Sequence, residues 1–285
     1  MSPPLSNPIV FYDIAFKAPR ESTNRAPNPW KSRLALNFKD LPYNTTWVPL
    51  PDVPKVRQHM NLSACRTFAD GSNFYTLPII TDPKTGATVG DSFDIAVYLQ
   101  RTYPSSGAGD LFPRQKLDYV FTPEQPLAVP LSKIDSAGYD EYARFNINVD
   151  TLFTTYVVLM AGGMSLEPAG EEVFVKRAGI DSFDVIKLAC TGAQRATTLS
   201  AFQRDSKSLA QLFQRDPGGP FLLGAQASYA DLIVGGWLRM AWRTLPHAEW
   251  ADLCGWHDGI FGQLHKALDR YSRVDVGCEL HDQHI

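Results

Sequence analysis

The chain has 285 residues, 44% of them apolar, enough to bury a large core as one big domain or two modest ones, of which two is the reading adopted. Its 27 Lys and Arg against 30 Asp and Glu leave a net charge of −3, with no basic stripe interleaved with aromatics, which argues against a nucleic-acid partner. The longest uncharged apolar run, 232–238, falls far short of the ~20 residues that cross a bilayer, so no membrane partner is expected.

Residues 1–8, MSPPLSNP, read as a loosely attached Ser/Pro tail without the basic and apolar regions of a signal peptide, and a cytoplasmic location follows. In that compartment the sequons at Asn44 and Asn61 are inert. Cys65, Cys190, Cys254 and Cys278 show no CxxC spacing and read as free thiols. His257 and His265, and His281 with His284 in the polar tail, lack a metal-ligand pattern, so no metal is expected.

In chain order, residues 9–14 (IVFYDI) are β-prone and apolar enough for a strand buried on both faces. A long polar loop follows and ends at Asn28-Pro29, where Asn caps and Pro opens a helix through WKSRLALNFKD. Trp30, Leu34, Ala35 and Phe38 form one face of that helix. Residues 43–48 (YNTTWV) make a second strand and complete a βαβ unit. A short helix is expected around 55–62, then a polar loop through 69–72, strands at 76–81 and 87–89, and a helix over 91–103.

Beyond a linker-like PSSGAGD, the chain lacks convincing strands and carries helical patterns at about 131–161, 182–215, 228–245 and 257–271. The expected organisation is a thioredoxin-like α/β domain over 9–110 and an all-helical domain over 111–285.

Two features carry chemistry. Leu77-Pro78 opens a strand, where proline fits either as the start of an edge strand or as a cis bond that turns the Leu77 backbone outward toward an extended peptide. Asp91-Ser92 opens a helix, either as a plain N-cap or as a carboxylate site with Asp91 available to an ammonium group. A γ-glutamyl end carries both groups. No G-x-S-x-G elbow, P-loop or G-x-G-x-x-G offers a serine-hydrolase or nucleotide site.

The segments IVFYDI, NPWKSRLALNFKDLPY, TLPIITDPKTG and DSFDIAVYLQRTYP resemble the N-terminal domain of glutathione transferases. GPFLLGAQASYADLIVGGWL resembles their C-terminal domain, with Ser228 and Asp231 matching the structural N-capping box. The first 110 residues most resemble the fungal-specific class A, which is related to bacterial etherases. The resemblance implies glutathione as co-substrate, held by Leu77, Pro78, Asp91 and Ser92. It also implies a homodimer and aromatic or polyphenolic second ligands, which some members bind without turnover.

Family chemistry uses a hydroxyl or thiol donor at the start of the first helix to favour the thiolate. The serine expected there is missing; Ala26 stands near its place. Asn28 is assigned to the sulfur, against a purely capping role, with Ser22, Thr23 and Ser32 as other nearby hydroxyls. For the glycine carboxylate the family places a partner near residues 55–59, which makes Lys55 and Gln58 candidates against a solvated helix face. Lys31 is an alternative, and Arg33 reads as a structural tie. Tyr12, Trp30, Tyr142 and Phe145, with Phe16 and Trp242, are candidates for an aromatic-ligand pocket or for plain core. The competing functions are a glutathione-conjugating or ether- or thioester-cleaving enzyme, a ligand-sequestering protein, and a scaffold using only the fold.

Overall fold

In the computed structural model, the β-prone run at the start forms β1 (Ile9–Ala15), which pairs in parallel with β2 (Tyr43–Pro49), Ile9 opposite Tyr43 through to Ala15 opposite Pro49. The structure describes residues 7–68, 70–127 and 129–280, leaving aside the side chains of 186, 187 and 189. Most of the Ser/Pro tail, Ala69 of the polar loop, and His281 and His284 therefore lie outside the described residues.

Between the two strands, α1 (Arg20–Thr23) occupies part of the expected loop, and α2 (Pro27–Phe38) crosses the sheet. The start of α2 corrects the sequence reading. Ala26 is the N-cap and Pro27 takes the first helical position, where its fixed φ and missing N–H cost nothing. Asn28 therefore sits inside the first turn and does not cap. A 3-10 turn (Leu50–Asp52) leads into α3 (Val53–His59), followed by the small hairpin of β3 (Arg66–Thr67) and β4 (Asn73–Phe74). Next come β5 (Ile79–Asp82), β6 (Ala87–Gly90) and α4 (Ser92–Thr102).

Among the described residues the remainder forms helices and a short strand. After the linker come α5 (Asp140–Thr155), α6 (Val158–Ala161), α7 (Pro168–Ala178), α8 (Phe183–Ala189), α9 (Gly192–Asp205), α10 (Lys207–Phe213), α11 (Tyr229–Thr244) and α12 (His247–Ala267). The strand is β7 (Cys278–Glu279), which adds in parallel to β2 and completes a mixed sheet of order β6-β5-β1-β2-β7. Asp275 helps to hold this returning chain by accepting from the Thr45 backbone N–H at 3.0 Å.

Several helices differ from their expected bounds for local reasons. Positive φ at Ala137 (49°) and Gly138 (92°) stops any helix from running through to α5. The expected 182–215 helix is divided at Gly192 (φ 55°) and Ser206, and α7 lies between the expected helices, where the sequence shows no helical pattern. Helix α12 begins earlier than expected and kinks where His257, Asp258 and Gly259 have φ of 52°, 61° and 78°. The bounds of α11 agree closely. There the Asp231 carboxylate accepts from Ser228 N (2.6 Å), Ser228 Oγ (2.8 Å) and Leu222 N (2.9 Å), which seats the helix start.

The largest core joins α2 and α4 on one face of the sheet to α5 and α11 of the helical half. A smaller core on the other face gathers Tyr12, Phe16, Val48, Leu50 and Leu77 with Leu166 and Phe183 from the second half. Buried Arg33 spans the first core edge, donating to Asp13 at 2.8 Å with its guanidinium 4.8 Å from the Phe11 ring centre, so it is the structural tie the resemblance implies.

The linker is strapped to α2 through Ala108 N donating to Phe38 O (2.8 Å), which requires Gly107 at φ 58°. A β-carbon there would lie 2.2 Å from the Phe38 carbonyl oxygen. Gly107→Ala is expected to destabilise the protein by about 2 kcal/mol or more, from the left-handed backbone plus the clash, read as a lower urea midpoint. An unchanged midpoint would show that the strap contributes nothing.

Candidate functional site

A cleft of about 200 Å³ lies between the two halves. The N-terminal half supplies Pro27, Asn28 and Pro29 from the start of α2, Leu50 and Val53, and Thr76 and Leu77 before β5. The helical half supplies Asp150 and Thr154 of α5, Phe174 and Arg177 of α7, and Trp237 and Met240 of α11. Phe16, Phe74, Met164 and Leu166 make the lining predominantly apolar, as suits an organic ligand.

Along one edge, the Leu77-Pro78 bond is cis. Leu77 precedes the β5 ladder, and its backbone groups have no hydrogen-bond partner among the described residues. Pairing of Ile79 with Gly90 brings the next loop alongside, and Asp91 N donates to Pro78 O at 3.2 Å. Asp91 has φ 86°, a region that costs a non-glycine residue about 1–3 kcal/mol and concentrates at functional sites. It caps α4 by accepting from Phe93 N at 3.3 Å, and Ser92 begins the helix with its carbonyl held by Tyr229 Oη at 2.9 Å. Leu77, Pro78, Asp91 and Ser92 are thus neighbours.

At the start of α2, Asn28 lines the cleft and its Oδ1 is buried without a partner among the described residues. Its amide is therefore committed neither to capping nor to a neighbouring side chain. Deeper in, Lys31 is fully buried and donates to Asp150 Oδ1 (2.5 Å) and Asn146 Oδ1 (3.1 Å). Trp237 Nε1 donates to the same Asp150 oxygen at 2.6 Å, so the one acid lining the cleft among the described residues is already paired.

Two cations remain at the cleft wall. Arg66 of β3 and Arg177 of α7 lie 5.6 and 4.8 Å from the Phe74 ring centre, and neither has a carboxylate partner among the described residues. Burial, then repulsion from Arg66, lowers the Arg177 guanidinium to about 10. Nearby Cys65 Sγ is 2.9 Å from Thr76 Oγ1, and burial followed by the charge of Asp91 pushes its thiol up, opposite to what a nucleophilic cysteine needs.

Models of the glutathione S-transferase N-terminal and C-terminal domains match residues 26–102 and 150–271. The chain belongs to the glutathione S-transferase superfamily. A glutathione S-transferase of Ceriporiopsis subvermispora, solved in complex with glutathione, is 28% identical with a TM-score of 0.75, covering 94% of this chain and 99% of that one. Glutathione transferase GSTFuA3 of Phanerochaete chrysosporium is 26% identical with a TM-score of 0.70 over 94% and 99%. The glutathione S-transferase-like protein ustS of Aspergillus flavus is 25% identical over 94% of this chain and 98% of its own length.

Other candidate residues of this transferase-superfamily chain stand away from the cleft. Lys55 is exposed on α3 and paired with Asp52 at 3.0 Å, and exposed Gln58 approaches Tyr75 Oη at 3.4 Å; neither lines the cleft. Lys31 is consumed by Asp150. Tyr12, Trp30, Tyr142 and Phe145 are all buried in the core and absent from the lining, because each packs on its own element's inward face. Of the aromatic candidates Phe16 does line the cleft, and the other aromatic walls are Phe74, Phe174 and Trp237. Ser32 is fully buried, and the Ser22 and Thr23 hydroxyls bond the local backbone carbonyls of Pro19 and Lys17. Trp242, 41% exposed, lies outside the lining.

His257 bonds Gln203 O at 2.9 Å, and His265 packs against Trp250. Among the described residues no cluster of three or more His, Cys, Asp or Glu forms a metal site, and no helix is long and apolar enough to cross a membrane.

Proposed function

We propose that this chain binds glutathione and joins its sulfur to aromatic compounds held in the interdomain cleft. The observation that carries the reading is the Asp91-Ser92 helix start, with Asp91 at φ 86°, beside an apolar cleft whose other edge is the start of α2. Ser92 and the α4 N-terminus take the γ-glutamyl carboxylate, Asp91 takes its ammonium, and the Leu77 backbone pairs with the cysteinyl unit.

A free thiol with pKa near ~8.5 is mostly protonated at neutral pH. The positive end of α2 and the Asn28 side-chain N–H groups favour the thiolate; an amide accepts no proton, so the proton leaves to water. The thiolate attacks the electrophilic carbon, a carbon–sulfur bond forms, and the leaving group departs with its electron pair. Phe16, Phe74, Phe174 and Trp237 hold the aromatic partner. In class, the reading is the fungal-specific, etherase-related one, and the assembly is a two-fold dimer, which sedimentation tests.

A second reading, sequestration of polyphenols without turnover, is favoured by Ala26, which puts a methyl group in the cleft wall near the expected serine. Retention on immobilised glutathione, lost on Ser92→Ala, is expected under both readings, and a wild-type protein that flows through sinks them together. Conjugation measured with a panel of aromatic electrophiles then separates the two.

A further inference from the structure

We infer that Arg66 and Arg177 form a carboxylate clamp that selects an anionic aromatic compound as the second ligand of the cleft. That this ligand is the second one rests on the proposed binding of glutathione.

The clamp is built around Phe74. One arginine comes from β3 and the other from α7, so the two halves of the chain converge on one ring, which also stacks on Phe68 at 4.4 Å. A guanidinium carries five N–H donors. Arg66 spends its Nε on Ser132 Oγ at 3.2 Å, and Arg177 an Nη2 donor on the Tyr75 carbonyl at 3.0 Å, which leaves further donors on each. Among the described residues the cleft thus holds two positive charges without a carboxylate partner between apolar walls, since Asp150, the acid of its lining, already serves Lys31, Asn146 and Trp237. Like charges in low dielectric repel unless an anion joins them, and a carboxylate matches the fork of a guanidinium.

Glutathione also carries carboxylates. The position of Arg177 favours the second ligand instead: it follows Phe174 by one helical turn on α7, and both line the cleft beside Met164 and Leu166. An aromatic ring seated on those side chains places a ring carboxylate within the reach of Arg177. Neither Asp91 nor Ser92 lines this chamber.

The test titrates 2-naphthoate and uncharged 2-naphthamide into the full chain by calorimetry, with and without saturating glutathione. Wild type is expected to bind naphthoate about tenfold or more tightly than the amide, the scale of one charge-assisted hydrogen bond. Arg66→Gln and Arg177→Gln each shrink that ratio to about threefold or less, and an unchanged urea midpoint reports an intact fold. Arg177→Lys recovers part of the ratio. Equal affinities in wild type, or a preference that survives the double Gln variant, overturn the clamp.

The two carboxylate sources are separated with glutathione and its glycine ethyl ester. If Arg177→Gln weakens glutathione about tenfold and leaves the ester unchanged, the clamp belongs to the tripeptide and the inference fails. If wild type is not retained on glutathione yet prefers naphthoate in its absence, the functional reading falls and the clamp stands.

Discussion

Lys31→Met should lower the unfolding free energy by about 3–5 kcal/mol, the cost of leaving a buried carboxylate without its cation. Lys31 Nζ is fully buried 2.5 Å from Asp150 Oδ1, and the same carboxylate receives Trp237 Nε1 and Asn146 Nδ2. The network therefore ties α2 to α5 and α11, across the seam between the two halves. Asp150 keeps 9% of its surface exposed toward the cleft, which favours the lower end of that range. Methionine fills nearly the volume of lysine, so loss of packing adds little.

The measurement is a urea transition, with the midpoint falling at unchanged slope. Replacing both partners, Lys31→Met with Asp150→Leu, should recover much of the loss, because a buried ion pair gains little net over apolar side chains of similar volume. A loss under about 0.5 kcal/mol in the single variant would mean that the carboxylate is satisfied by Trp237 and Asn146 alone.

This network joins residues far apart in the chain, whereas other parts of the fold follow from local sequence signals. The sheet and α11 were readable because their signals are local: β-branched and aromatic runs for β1 and β2, and Ser228 with Asp231 three residues apart at a helix start. The start of α4 at Asp91 and Ser92 is readable for the same reason. Residues that act across the seam were not. Arg66 and Arg177 are far apart in the chain, and nothing around either marks it as facing a cleft; they meet only because α7, itself without a helical pattern in the sequence, lies against the loop before β5.

Conversely, Tyr12, Trp30, Tyr142 and Phe145 have the composition of a pocket and the placement of a core. Burial depends on which helix covers a face, and that is a tertiary property. The strand β7 was missed because two residues with no alternating pattern pair only through the edge that β2 leaves open.

At the thiolate itself, Asn28→Ala should reduce kcat/KM for conjugation by about 10²-fold, the usual loss for one donor aimed at a developing or fixed anion in a site shielded from water. The reasoning turns on what the start of α2 offers. Ala26 has no side-chain donor, Ser32 is buried, and the Ser22 and Thr23 hydroxyls bond the Pro19 and Lys17 carbonyls; Pro27 and Pro29 have no N–H and Trp30 N donates to Ala26 O, which leaves the Asn28 side-chain amide with its own backbone N–H. The group that titrates is the bound thiol. If Asn28 stabilises the thiolate, the pKa of that thiol lies below the free value of about 8.5, and the rate rises with pH through the lowered value.

Removing the donor moves this rise toward about 8.5, so the deficit should be largest near neutral pH and shrink in alkaline buffer, where the thiol ionises unaided. Asn28→Asp should be worse than alanine, because a carboxylate repels the thiolate and raises its pKa further. Ala26→Ser, which adds a hydroxyl donor at the N-cap, should shift the rise the other way. The pH dependence separates this role from a structural one: a variant that merely loosened α2 would lose rate equally at every pH. An unchanged midpoint in Asn28→Ala would leave the helix end alone as the source of thiolate stabilisation.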